Sequence, residues 1–496
     1  MQGKKEFRQR IYYNINLDSL IPKNHLLRRL DKLVSFDFVR DITRDYYSHT
    51  GKPSIDPVVL VKMLLVGYLF DIRSERKLVE EISLNLAYRW YIGYDLDEEI
   101  PNHSIFSKAR TRFSKKIFTE IFSQILKTAI SYGIVSREGI LVDSSIVKAD
   151  ASIDSIVQIN LSPEEYWRKL DESEKVKSSS GKKPKSGSPV NTGSHFKGEP
   201  DKDKMGKRRR RTNSIYLKKR STTDPDATLF YRPGAGSHLS YKAHFVTDTN
   251  GIITAVAASP SSLHDTGAVP VLIDSHEKIM GAPAWVAADT KYGSEECLRY
   301  LQNRGIKTSI NPETKSNRPG YFSKDEFIYD KNRDHYTCPQ GNILKRKAKN
   351  YKLNRITYRA KTRDCQSCPV REKCIDSIGN NPRIITHYDS QCYQKAKEWY
   401  HSNYGRAMQK LRGTVIEGVF GQAKVYHGMA RSKFRGLEKV EIQFLMTATA
   451  LNLKKIVRIL DIDKLTSRFS REISYIIQTG RNILRNLIVE LVFHPS

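Results

Sequence analysis

Three acidic residues stand where metal-dependent chemistry needs them. Asp143 follows the uncharged run Gly139, Ile140, Leu141, Val142, and Asp289 follows Trp285, Val286, Ala287, Ala288. Each run reads as a buried strand that ends by delivering a carboxylate to the place where strands of a sheet converge. Alone, such an Asp is most simply a turn or helix cap. Two delivered to one place repel, and a divalent cation relieves that repulsion. Glu417 belongs to a helical stretch, with Gly413 and Gly421 four residues to either side and Lys424 seven beyond, all on one face. Glycine inside a helix costs about 1 kcal/mol relative to alanine. The pair therefore serves a purpose: room beside the acid for a metal or a backbone, or close packing of the helix on the sheet. Three hard oxygen ligands suit magnesium or manganese. Two such ions about 4 Å apart activate the attacking oxygen and stabilise the leaving one at a phosphodiester.

A second constellation is made of thiols. Cys365 and Cys368 form a CxxC pair, Cys374 follows closely, and Cys338 lies upstream, all inside a polar stretch from 311 to about 399. Four thiolates there fit a structural zinc site, which would hold together a segment with little apolar core. Reduced, unligated cysteines or an iron-sulfur cluster are the other readings. Cys297, beside Leu298 in a helix, reads as core, and Cys392 could substitute as a ligand.

The elements that must position these groups follow from pattern. The chain of 496 residues exceeds one core, so two to four domains are expected. Lys and Arg number 84 against 54 Asp and Glu, a net charge of +30 that calls for a polyanionic partner, nucleic acid first. No apolar signal region follows the charged N-terminus, and the longest apolar run, Val58 to Phe70, contains Lys62 and is too short to span a bilayer. A cytoplasmic, nucleoid-associated protein is expected, without a membrane partner and with reduced cysteines.

Residues 1–135 read as helical. Asp56 and Pro57 make a cap and first turn for the apolar helix from Val58; Ser74, Ser104 and Ser114 open others, and Gly133 ends the last. Short helices bearing Arg73, Arg76, Lys77, Lys108, Arg110 and Arg112 fit a helix-turn-helix-like DNA module or a plain scaffold with a solvated face. Residues 162–222 are rich in Ser, Gly, Pro and Lys and carry Arg208, Arg209, Arg210 and Arg211. That composition reads as a flexible insertion making loose DNA contact, or as a solvated tether. Around it the order is strand, two strands joined at Asn250-Gly251, helix from Asp265, strand to Asp289, helix from Ser294, strand Ile306 to Ile310. The expected fold is α/β: a ribonuclease H-like mixed sheet with helices over 136–310, completed by helices from 401–496, with the cysteine-bearing insertion at 311–400 between them. In the glutamate helix Met408, Leu411, Val415 and Val419 are expected to face inward. Asp265 reads as an N-terminal cap and His427 as a helix-end residue.

These residues resemble the bacterial insertion-sequence transposases of the DDE class. GKPSIDPVVLVKMLLVGYLF, SERKLVEEISLNLAYRWYIG and PNHSIFSKAR resemble their opening helical domain. VDSSIVKADAS, AADTKYGSEE and RGTVIEGVFGQAKVYHGMARSKFRG resemble the three catalytic segments. The resemblance implies that Asp143, Asp289 and Glu417 bind two Mg2+ or Mn2+ ions and that Lys424 contacts DNA near the cut end. It extends DNA contact to Arg431 and Lys433 of the same segment and to Arg412. Many relatives place an Arg four positions before the glutamate, where this chain has Gly413, with Arg412 one earlier. It further implies binding of terminal inverted repeats in double-stranded DNA, cleavage at the element ends, attack of the 3'-hydroxyl on target DNA, and a dimer or larger synaptic assembly. A metal-dependent nuclease that does not join, or a catalytically silent DNA-binding descendant, are the alternatives.

Overall fold

The computed structural model describes residues 16–48, 50, 54–160, 217–232, 234, 236–312, 320–350, 355–375, 381–388 and 391–461. Arg208, Arg209, Arg210 and Arg211 lie outside them.

The N-terminal region is helical because its apolar residues recur at helical spacing between well-formed caps. The helix Pro57–Leu69 starts where the Asp56 carboxylate accepts the Val58 N–H at 2.8 Å, with Pro57 in the first turn, where no donor is needed. Ten of its 13 residues are buried, so neighbouring helices surround it on every side. Lys115–Ser131 buries Ile117, Phe118, Ile121, Phe122, Ile125, Leu126 and Ala129 along one stripe. The chain leaves that helix through Gly133, whose φ of +68° is a conformation that a side chain resists.

The central sheet is built from β1 (Gly139–Lys148), β5 (Gly236–Thr247), β6 (Ile253–Pro260), β7 (Trp285–Ala288) and β8 (Lys307–Ser309). Across these strands the order is β6, β5, β1, β7, β8; β1 is antiparallel to β5 and parallel to β7, and β8 is parallel to β7. An antiparallel three-strand meander continued by two parallel strands, with helices on both faces, is the ribonuclease H-like arrangement. One face carries Ile140, Val142, Val246, Val286 and Ala288 against helices Val269–Met280, Glu295–Asn303 and Gln391–His401. The other carries Leu141, Ala243, Phe245 and Ala287 and shares one continuous core with the C-terminal helices and the N-terminal helices.

Several boundaries differ from the sequence reading. Strand β1 does not end at Asp143 but runs on to Lys148, because β5 pairs with it from Leu141 through Lys148 while β7 stops at Val142. The segment expected to be a flexible insertion to about 222 instead ends in β3 (Leu217–Ser221), which pairs with β2 (Ile156–Asn160) and extends the sheet through β4 (Thr228–Arg232). The polar stretch after residue 311 folds as five antiparallel strands, β9 (Ile328–Asp330), β10 (His335–Thr337), β11 (Ile343–Asn350), β12 (Arg355–Arg359) and β13 (Ile384–Tyr388), in the order β13, β12, β11, β10, β9. It has a small core of its own around Phe327, Tyr336, Leu344, Ile356 and Tyr358.

Candidate active site

The register of β1 on β7 sets the site. Val142 faces Ala288 in the last parallel pair, so Asp143 and Asp289 follow immediately at the point where the two strands part. Each carboxylate takes the N–H of the next residue at 2.7 Å, Asp143 from Ser144 and Asp289 from Thr290, which fixes both side chains close to the backbone.

Glu417 arrives on the helix Asn403–Tyr426, capped by Ser402. The buried side of that helix is made by Ile416, Val419, Phe420 and Ala423; Met408, Leu411 and Val415, expected inward, are only partly covered. The cause is a ring contact: Phe420 stacks on Phe245 with centroids 4.7 Å apart, and Phe245 is the cross-strand partner of Asp143. This docking turns the helix so that Glu417, with 59% of its side chain exposed, stands at the rim above the partly buried Asp143. Gly413 leaves only the Glu417 carboxylate near its absent Cβ, at 3.9 Å, and Gly421 faces open space.

Two side chains bind this helix to the strand ends. Gln409 donates from Nε2 to the carbonyl oxygens of Ala288, at 3.1 Å, and Ser309. Arg412 donates from Nη1 to Asp143 Oδ2 at 2.9 Å and places Nη2 3.5 Å from Glu417 Oε1. Burial pushes the Asp143 carboxyl up to about 6, and the charges of Asp289 and Glu417 push the same way; the Ser144 N–H and Arg412 oppose them. Carboxylates close enough to raise one another, with a guanidinium already seated between two of them, form a donor set suited to a hard divalent cation. Among the described residues no three His, Cys, Asp or Glu side chains are already arranged as a metal site.

Beside the acids opens a cleft of about 700 Å3, lined by Ser144 and Ser145 of β1, Lys242, His264, Lys291 and Lys424. Lys424 thus shares this cleft with Ser144, which follows Asp143, and with Lys291. Lys291 and Lys242 were missed by sequence reasoning; Lys291 sits two residues beyond Asp289 and carried a signal in that spacing. Asp265 is not the expected cap. The His264 ring accepts the Thr266 N–H, while Asp265 is buried 2.7 Å from Lys242 Nζ.

Other candidates lie elsewhere. Arg431 bridges to Lys148, five residues along β1 from Asp143, and pairs with Asp150 at 3.2 Å. Lys433 rests over the Tyr68 ring at 4.6 Å, in a groove shared with Arg73, Arg76 and Arg110 of the N-terminal helices. His427 is buried, its ring bonded to the Tyr68 carbonyl at 2.7 Å, as a helix-end residue.

The six cysteines are free thiols. Cys338, Cys365 and Cys374 pack in the core of the five-stranded sheet, and Cys338 and Cys365 accept the backbone N–H groups of Asn342 and Arg383. Burial pushes the Cys374 thiol up, Arg383 opposes this, and the charges of Cys365, Cys368 and Cys338 add to it, so all four lie near one another. Among the described residues no three of them are grouped as a metal site. Cys297 is core, and Cys392 lies beside it against the main sheet, away from the other four.

The strand order is that of a ribonuclease H-like core. Residues 337–457 match the family described as "Transposase DDE domain", and residues 15–112 match "Transposase domain (DUF772)". The former spans Glu417 and the four clustered cysteines. The chain therefore carries a DDE transposase domain, the catalytic unit of metal-dependent DNA cleavage and strand transfer, and such domains use divalent metal ions. No curated protein matches the chain. Among solved structures it is similar to a piggyBac transposase synaptic complex with hairpin DNA, at 11% identity over 87% of this chain and 74% of that chain, with a TM-score of 0.32. Among the described residues no helix is long and apolar enough to cross a membrane.

Proposed function

We propose that this protein is a transposase that binds the terminal inverted repeats of its own element, cuts at the ends and joins the 3'-hydroxyl to target DNA. The observation that carries the reading is the convergence of Asp143, Asp289 and Glu417 beside a lysine-lined cleft. In it, the three carboxylates hold two Mg2+ or Mn2+ ions. When bound, the ions activate the attacking oxygen and stabilise the leaving oxygen of a phosphodiester.

The chain's own residues do the rest. Asp143 and Asp289 are fixed to their backbones, so the site is built before substrate arrives. Glu417, at the rim, meets the strand as it enters. Lys424 and Lys291 neutralise phosphates beside the acids and set the register of the cut strand. The overall charge of +30 supports double-stranded DNA as the partner. Two ends must be held together for joining, which calls for a homodimer or larger synaptic assembly, inside the cell on nucleoid DNA.

The test supplies purified protein with a labelled duplex ending in a pre-cut element end, a target duplex and Mg2+ or Mn2+. Joined product supports the transposase. Hydrolysis without joining would make it a nuclease, and binding without either reaction would make it a silent DNA-binding protein.

A further inference from the structure

We infer that Arg412 is a built-in counter-ion of the catalytic site, seated between Asp143 and Glu417 until divalent ions and DNA together displace it. The inference rests on these acids being the metal ligands and goes beyond that reading by making metal loading depend on DNA.

The guanidinium is 15% exposed and has three partners: Asp143 Oδ2 at 2.9 Å, Glu417 Oε1 at 3.5 Å and Gln409 Oε1 at 3.4 Å. Its two terminal nitrogens reach different acids, one partly buried and one at the rim. The lone pairs that accept these N–H groups are those a hard cation needs, so Arg412 and a metal compete for the same oxygens. An arginine is charged at every working pH and cannot leave by losing a proton. It has to find another anion.

Gln409 determines where it can go. Gln409, anchored on the carbonyl oxygens of Ala288 and Ser309, holds the Arg412 Nε at 3.4 Å and so keeps the guanidinium at the strand ends when its two terminal nitrogens exchange the acids for another anion. A phosphate of a strand lying along the acids offers the bidentate acceptor that a guanidinium prefers. DNA thus takes the arginine and frees the carboxylates. Because binding couplings are reciprocal, metal must in turn tighten DNA binding through the same residue.

The experiment measures Mn2+ binding to the full chain by electron paramagnetic resonance, with and without a duplex, for the wild type, Arg412→Gln and Gln409→Ala. Without DNA, Arg412→Gln is expected to bind Mn2+ about tenfold or more tighter than wild type, and a duplex closes the gap by raising only the wild-type affinity. Gln409→Ala keeps the cation but loosens it, and falls between the two. Equal Mn2+ affinity of wild type and Arg412→Gln without DNA would overturn the inference and leave the metal reading standing. No Mn2+ binding by any protein in either condition would remove the metal reading and this inference with it. Should Arg412→Gln fail to fold, Gln409→Ala decides: unchanged Mn2+ affinity overturns the proposal.

Discussion

Val142 and Ala288 form the last pair between β1 and β7, and that register alone places Asp143 and Asp289 side by side. A shift of one residue would turn one acid to the opposite face of the sheet. The two acids therefore act as one unit. Asp143→Asn and Asp289→Asn should each lower metal-dependent DNA cleavage by about a hundredfold or more. Duplex affinity, measured by fluorescence anisotropy without divalent metal, should not fall in either variant. A loss of affinity matching the loss of cleavage would mean that the acids act in binding instead.

In the proposed function Lys424 serves the phosphates, not the metal. Lys424→Ala should weaken duplex binding for all sequences alike and reduce the slope of log affinity against log salt by about 1. A titration at four salt concentrations reads that slope. Arg431→Ala, whose guanidinium is paired with Asp150 away from the cleft, should alter end cleavage less than Lys424→Ala.

Gly139 is a packing requirement of the same register. It faces Trp285 across β1 and β7, and a Cβ there would fall 2.0 Å from the indole ring. Gly139→Ala must displace the ring or the strand, with a cost of about 1–3 kcal/mol. A urea melt should show a lowered midpoint with the loss of cleavage following the loss of folded protein.

Acid should loosen the fold through buried neutral histidines. Burial holds His276 down to about 4, where its ring bonds Thr254 Oγ1 at 2.8 Å. The unfolded histidine takes its proton near 6.5. Its contribution to stability is complete above about pH 6.5 and declines as pH falls toward 4, at up to about 1.4 kcal/mol per unit. His276→Gln should therefore lose less thermal stability than wild type between pH 7 and pH 5, whatever its stability at pH 7.

Much of this site was legible because its parts are short local signals. The apolar run before Asp289 marks a strand end, and glycines flanking Glu417 mark an open helix face; both lie where expected. The continuation of β1 to Lys148 was not legible, since Ser144 and Ser145 are polar and their pairing partner lies about a hundred residues away in β5. In the glutamate helix Val419 is buried as expected, while Met408, Leu411 and Val415 pack against the core only in part; Ile416, Phe420 and Ala423 complete the buried face, with Phe420 stacked on Phe245. In sequence Gln409 looks like an ordinary surface residue and Asp265 like a helix cap. Their roles arise only when β7, β8 and β5 bring carbonyls and Lys242 to them.

The most direct measurement compares wild type with Glu417→Gln on a labelled duplex carrying the ends of the encoding element, with Mg2+ or Mn2+ present. Wild type should give metal-dependent nicks at the ends and joined products, and Glu417→Gln should bind the same duplex without either. Nicking and joining undiminished in Glu417→Gln would contradict the central claim that Asp143, Asp289 and Glu417 together form the catalytic metal site.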